Sequence, residues 1–159
     1  MADLFAIAVF VALLGAALIA GTFFAFSAFI MKALAKIAPT AAIAAMQSIN
    51  VVVINPIFLA IFVGTAALGI GIALAALFRL PETGAIFALA GGLSYGLGTF
   101  LVTMRCNVPL NDALAKVGPD SPQGRQVWTR YLSDWVWWNH VRTVAALTAT
   151  ALFALALRD

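Results

Sequence analysis

Cysteine, histidine and glutamate occur once each among 159 residues, and only 9% of the side chains are charged. Each scarcity removes a class of function. The lone Cys106 has no partner for an intramolecular disulfide, so nothing in the chain depends on an oxidising compartment. A single histidine cannot build a histidine-rich iron site or a pair of haem ligands, and with Glu82 as the sole glutamate no Glu-x-x-His pair exists for a di-iron bundle. No metal site is expected. The Gly-x-Gly-x-x-Gly turn of dinucleotide folds is absent, and the net charge of +3 comes without a basic face interleaved with aromatics, so nucleic acid is not an expected partner.

What the chain has instead is hydrocarbon. Its residues are 64% apolar and its mean hydropathy is +1.06, far outside the soluble globular range. Stretches 4–30, 40–78 and 84–104 carry no charged side chain. Each is longer than the ~20 residues that cross a hydrocarbon core as a helix. A fourth run, 141–157, is shorter and carries Arg142 near its start; it spans if the Trp-rich turn before it sits among the headgroups. These runs predict an all-α integral membrane protein, an antiparallel four-helix bundle forming one domain over 1–159, with helices near 4–37, 40–79, 84–105 and 122–157. Asp3 stands where a secretory leader would be basic, and the first run is too long for a leader core, so that helix is expected to be retained.

Six of the nine cations, Lys32, Lys36, Arg105, Lys116, Arg125 and Arg130, fall between runs one and two or between runs three and four. Loops rich in Lys and Arg stay in the cytoplasm, which predicts a multi-pass protein of the cytoplasmic (inner) membrane with both termini on the other side. On the cytoplasmic side the helices should extend beyond the lipid. Between Pro39 and Phe78 the one strong breaker is Pro56, and about 40 residues at 1.5 Å each would reach twice the hydrocarbon thickness. Pro56 should kink that helix and free the carbonyl of Val52 for Asn55, Asn50 or a neighbouring helix. Ser121-Pro122 is a cap and first-turn pair opening the fourth helix. Gly92 and Gly96, with Ser94 and Gly98, give small-xxx-small spacing that suits close helix packing, and such faces are also compatible with a homo-oligomer.

The few polar residues gather at one level. Gln47, Asn50 and Asn55 lie on the cytoplasmic half of the second helix; Arg105, Asn107, Asn111 and Asp112 follow the third; Asp134, Asn139, His140 and Arg142 open the fourth. Trp128, Tyr131, Trp135, Asn139 and Arg142 recur every three or four residues and share one helix face, with Trp138 flanking it and His140 pointing elsewhere. Trp137 reads as an interfacial belt residue. Arg142 is either a buried cation satisfied by carbonyls, Asp134 or Asp112, or the centre of a site. Pro109 should end the third helix and hold Val108 extended, leaving a loop from Cys106 to Asp120 with Asn111 as the cap of a short helix, while the amide of Asn107 needs a partner or a ligand.

The run Asn107-Val-Pro-Leu-Asn111, followed by Trp128, Trp135, Trp138-Asn139 and Val141-Arg142-Thr143, resembles the anthrone oxygenase-like family of small four-helix membrane proteins, as does the Asn-Pro pair within the Gln47 to Pro56 stretch. The resemblance implies an oxygenase that converts an anthrone to an anthraquinone with molecular oxygen, without metal, flavin or other cofactor. Such chemistry asks for a flat apolar slot, donors for an enolate oxygen and a base for the carbon-bound proton. Trp135 and Trp138, with Trp128, Asn111, Gln47, Asn50 and Asn55, are the candidates to bind substrate. Arg142, Asn139 and Asn107 would hold the oxyanion, and His140 or Asp134 would take the proton. The expected partners are a small apolar or aromatic molecule and the lipid bilayer. Two other readings use the same residues: a noncatalytic binder of a planar lipid-soluble molecule such as a quinone, and an interaction subunit of a membrane complex. A channel or transporter is disfavoured because no acidic residue lies within the apolar runs.

Overall fold

A computed structural model describes residues 4–158; Asp3, the acidic residue read at the amino terminus, lies outside them. Among the described residues every regular element is helical, and there are five helices. They are α1 (Leu4–Leu34), α2 (Pro39–Val52), α3 (Pro56–Leu77), α4 (Thr83–Ala115) and α5 (122–156). Hydrocarbon offers no partner to backbone N–H and C=O groups, so apolar stretches of this length close their hydrogen bonds internally as helices. α1, α3 and α4 are long and apolar enough to cross a membrane. α5 is not among them, because Asn139, His140 and Arg142 interrupt the apolar character of its second half.

α1 packs against α3 and α5, and α4 packs against the same two helices. Contacts between neighbours pair rising with falling residue numbers: Ser94 Oγ donates to the Ala145 carbonyl at 2.9 Å, and Asn107 Nδ2 donates to the Trp135 carbonyl at 3.1 Å. Two apolar clusters fill the interior. One surrounds Ala16, Phe23, Phe62, Ala88, Ala149 and Phe153. The other joins Met31, Ile43, Met46, Leu114, Trp128, Tyr131 and Trp135. In the first cluster Gly92 meets the backbone of Gly69, so a methyl group there would collide with a carbonyl, whereas nothing lies within 4 Å of a methyl placed on Gly96. Only Gly92 of that spaced pair serves close approach.

Several expectations about helix boundaries need correction. The stretch expected as one kinked helix over 40–79 is two helices, broken at 53–55. Asn55 is extended and caps α3, its Oδ1 accepting from Phe58 N at 3.0 Å while its Nδ2 donates to the Val52 carbonyl at 3.0 Å. Pro56 then occupies the first turn, where a missing N–H costs nothing, and so starts a helix instead of bending one. α2 consequently folds onto the carboxyl-terminal end of α4 and the start of α5 instead of projecting in line with α3.

The third helix does not stop at Arg105. A π-helical stretch over Thr103–Asn107 widens the turn ahead of Pro109, Val108 is helical (φ −58°, ψ −46°), and the helix runs on to Ala115. Pro109 falls in the first turn of the resumed α-helix, where its missing N–H is again tolerated. The expected loop from Cys106 shrinks to 116–121, and Asn111 lies inside the helix with no capping role. Ser121 does cap α5, accepting from Gly124 N at 2.8 Å.

Candidate functional site

α1, α4 and α5 each carry π geometry at the same level, over Phe26–Ile30, Thr103–Asn107 and Tyr131–Trp135, and in α4 a longer π stretch over Ser94–Leu101 precedes it. A π turn inserts an extra residue and re-aims the side chains beside it, which is why such turns gather at functional sites. Here each contributes to the wall of one cavity of about 300 Å³: Phe26 from α1, Thr103 and Met104 from α4, and Trp135 from α5. That volume is at the lower end of the range for small-molecule sites, about 300–1,000 Å³. Phe23, Met46, Phe58 and Phe62 complete an apolar lining, into which few polar groups intrude: Thr22, Asn50, Thr103, Asn111 and Arg142.

Arg142 dominates the electrostatics. It is buried, yet among the described residues no carboxylate pairs with it. Its Nε and Nη2 donate to Asn139 Oδ1 at 3.0 and 2.8 Å, and Nη1 donates to Thr103 Oγ1 at 3.3 Å. The guanidinium carbon lies 3.8 Å from the ring centre of Phe23 and 4.9 Å from that of Trp135. Dipoles and ring faces therefore stand where a counter-ion usually would. A guanidinium has five N–H donors, and three are used here. The site thus retains positive charge and spare donors within a water-poor wall.

Asn139 holds that cation in place. Its Oδ1 takes both guanidinium bonds, while its Nδ2 donates to the Phe23 carbonyl at 2.9 Å and to Ser27 Oγ at 2.7 Å. With its amide saturated, Asn139 does not line the cavity. Asn111 is arranged the other way round. Its Oδ1 accepts from Tyr131 OH and Trp135 Nε1, both at 2.7 Å, which leaves its Nδ2 without a protein partner among the described residues at the cavity wall. Trp128, Tyr131 and Trp135 form a continuous stack, with centroid separations of 5.6 and 5.3 Å and planes within 15° and 14°.

Of the residues singled out from the sequence, Asn50, Asn111, Trp135 and Arg142 line the cavity. Trp128 is buried at the far end of the stack, behind Tyr131, and Trp138 is half-buried away from the lining. Gln47 donates to the Leu114 and Val117 carbonyls at 2.8 and 3.0 Å, closing the end of α4, and Asn55 is occupied as a cap. Asn107 is fully buried, binds the Trp135 carbonyl through Nδ2 and leaves Oδ1 without a partner, but it is not in the cavity wall. The two base candidates lie elsewhere. Asp134 pairs with Arg130 at 2.9 Å on the outer side of α5, and that hydrogen bond holds its carboxyl below the usual range. His140 is exposed and borders a different groove with Lys32. Asp112, considered as a partner for Arg142, is exposed.

Sequence reasoning missed Phe23, Phe26, Phe58, Phe62 and Thr103. Thr103 carried a signal, as a hydroxyl near the end of an apolar run; the phenylalanines carried none, since lipid-facing and cavity-facing rings look alike in composition. Among the described residues no cluster of three His, Cys, Asp or Glu side chains could hold a metal ion.

Three membrane-length helices in an all-helical chain are compatible with the class of multi-pass membrane proteins, and this one carries a buried cation beside an apolar cavity. The model of one family, described as anthrone oxygenase, matches residues 56–152, and the chain belongs to that family. The matched region holds α3, α4 and most of α5, including Thr103, Asn111, Trp135 and Arg142, whereas Phe23, Phe26, Met46 and Asn50 lie before it. No curated protein and no solved structure matches the chain.

Proposed function

We propose that this protein is a four-helix membrane oxygenase, with α5 as its fourth crossing, that oxidises an anthrone-like phenolic or polycyclic compound with molecular oxygen and no cofactor. The observation that carries the reading is Arg142: a buried guanidinium without a carboxylate partner, set in an otherwise apolar, ring-lined cavity. Such a wall suits a flat ligand whose one acidic oxygen ionises beside the cation. Every tenfold gain in that acidity corresponds to about 1.4 kcal/mol of preference for the anion.

In this scheme the enolate of the substrate transfers one electron to dioxygen, and superoxide recombines with the carbon radical to form a C–O bond. The resulting hydroperoxide loses water, so a methylene and one O₂ become a carbonyl and one H₂O. Arg142 and the free amide of Asn111 are the donors for the oxyanion, while Thr103, whose hydroxyl donates to the Thr99 carbonyl at 2.7 Å, helps to hold the guanidinium; Phe23, Phe26, Phe62 and Trp135 sandwich the rings. Asp134 and His140 stand off the cavity, so ionisation is driven by the charge of Arg142, and the proton released is balanced by the one that the peroxide anion takes up before it loses water.

The clustering of six cations in the segments at the cavity end supports a cytoplasmic placement of that end, with both termini opposite. Oxygen uptake by the purified protein in lipid nanodiscs, started with anthrone, tests the activity. Uptake with formation of anthraquinone is expected from the wild type and not from Arg142→Gln. A second reading, a noncatalytic binder of a planar quinone-like molecule, is favoured by the lack of a carboxylate or imidazole in the wall among the described residues. Retention of the anthrone unchanged, with no uptake above the background rate, would select it.

A further inference from the structure

The cavity is closed along the axis of the helices and open at the side. Towards the cytoplasmic end it is roofed by the second apolar cluster, in which Met46, Leu114, Trp128 and Tyr131 are all buried. At the opposite end Phe23 and Phe62 belong to the first cluster and form its floor. Water arriving from either end would have to part a packed core. Lining residues that are themselves exposed mark the remaining direction: Ile54 (69%), Leu59 (39%), Met104 (45%) and Thr22.

This rim is apolar. Thr22 spends its hydroxyl on the Leu18 carbonyl at 2.9 Å, so it presents a methyl group and no unmet donor. Around the break between α2 and α3 the apolar surface continues through Val51, Val52 and Ile57, all exposed. A contiguous patch of large aliphatic side chains at the mouth of a cavity is costly against water and costless against lipid tails.

We propose that the cavity is loaded sideways from the bilayer, through a mouth between Thr22 on α1, Ile54 and Leu59 beside the α2–α3 break, and Met104 on α4. The ligand class follows: a lipid-dissolved, planar, weakly acidic molecule that crosses the mouth neutral and ionises only on reaching Arg142. A pre-formed anion or a water-soluble conjugate is rejected at the apolar rim, which makes these four residues determinants of specificity. The inference rests on the reading of this cavity as the ligand site, but it is testable without catalysis.

The test uses Trp135, which is 2% exposed and lines the cavity. A protein retaining only that tryptophan (Trp128→Phe, Trp137→Phe, Trp138→Phe) is placed in lipid nanodiscs, and its fluorescence is read with a bilayer-dissolved bromoalkane and, separately, with acrylamide in the water. Loss of most of the Trp135 emission to the bromoalkane and little to acrylamide is expected, with protection restored by Thr22→Phe, which fills the mouth. Should the triple replacement fail to fold, the wild type and Trp135→Phe compared under bromoalkane isolate the same component. Quenching by acrylamide alone, or bromoalkane quenching that Thr22→Phe leaves unchanged, would overturn lateral loading. Lateral quenching without anthrone-dependent oxygen uptake would sustain the mouth while removing the catalytic reading.

Discussion

The two ends of this molecule are packed by opposite rules. Near the 79–82 turn, small residues bring helices into contact: Gly92 against the Gly69 backbone, Gly91 against the Phe153 ring, Ala88 and Ala149 fully buried. At the other end, large rings and amides hold the helices apart, and the space they leave is the cavity beside Arg142. Without hydrophobic drive between helices in lipid, the first arrangement maximises contact between backbones. The second gives up contact for a hollow and stabilises its cation with Asn139, Thr103 and two ring faces in place of a counter-ion. A site in a membrane helix bundle is thus a local departure from close packing, and its cost is borne by a small polar network.

That contrast can be broken at the cavity end first. Arg142→Gln should lower anthrone turnover by about 10²–10³-fold, the range for loss of one preorganised oxyanion donor. The same change should leave the melting temperature equal or higher, since it removes a buried charge that no carboxylate pairs with. A variant that unfolds would mean that the guanidinium is structural glue. Asn139→Ala frees the guanidinium from its two-bond anchor, and misplacement of a positioned group by about 1 Å costs on the order of 10²-fold. Steady-state kinetics should show a fall in kcat with KM little moved, because the apolar walls that bind the rings remain.

The close-packed end answers to volume alone. Gly92→Val should destabilise by about 1–3 kcal/mol through overpacking against the Gly69 carbonyl, read by thermal unfolding in nanodiscs. Gly96→Ala, with open space around the added methyl, should change nothing measurable. The smallest effects belong to residues that the structure puts off the cavity. Asp134→Asn removes an exposed pair with Arg130, and His140→Ala trims an outward ring, so neither should shift turnover in the oxygen-uptake assay.

These outcomes also mark what the chain discloses by itself. The helix face that carries Trp128, Tyr131, Trp135, Asn139 and Arg142 was legible because spacing of three and four survives tertiary packing, and all five side chains are buried. Where a helix begins at Asn55-Pro56 was misjudged because proline in a first turn and proline in a kink read alike; the capping bond from Phe58 N decides between them only in three dimensions. The passage of α4 beyond Pro109 was illegible for a related reason: the π turn over Thr103–Asn107 has no sequence signature, yet it lets the helix resume with proline in a tolerated position. Because helical spacing then carries α4 past Asn107, Asn111 reaches the cavity wall that a loop residue would not. Phe23, Phe26, Phe58 and Phe62 could not be told from lipid-facing rings, since in a membrane helix both faces are apolar.

The measurement closest to the central claim is the ionisation of a bound phenol. A hydroxyanthraquinone, already oxidised and therefore unreactive, absorbs at longer wavelength once its phenol loses a proton, so its titration can be followed while it sits in the cavity. The account predicts that the bound probe ionises at lower pH in the wild type than in Arg142→Gln, with affinity in the wild type rising as the anion forms. Identical titration curves in the two proteins would contradict it, for then the cation beside the cavity would not act on the ligand.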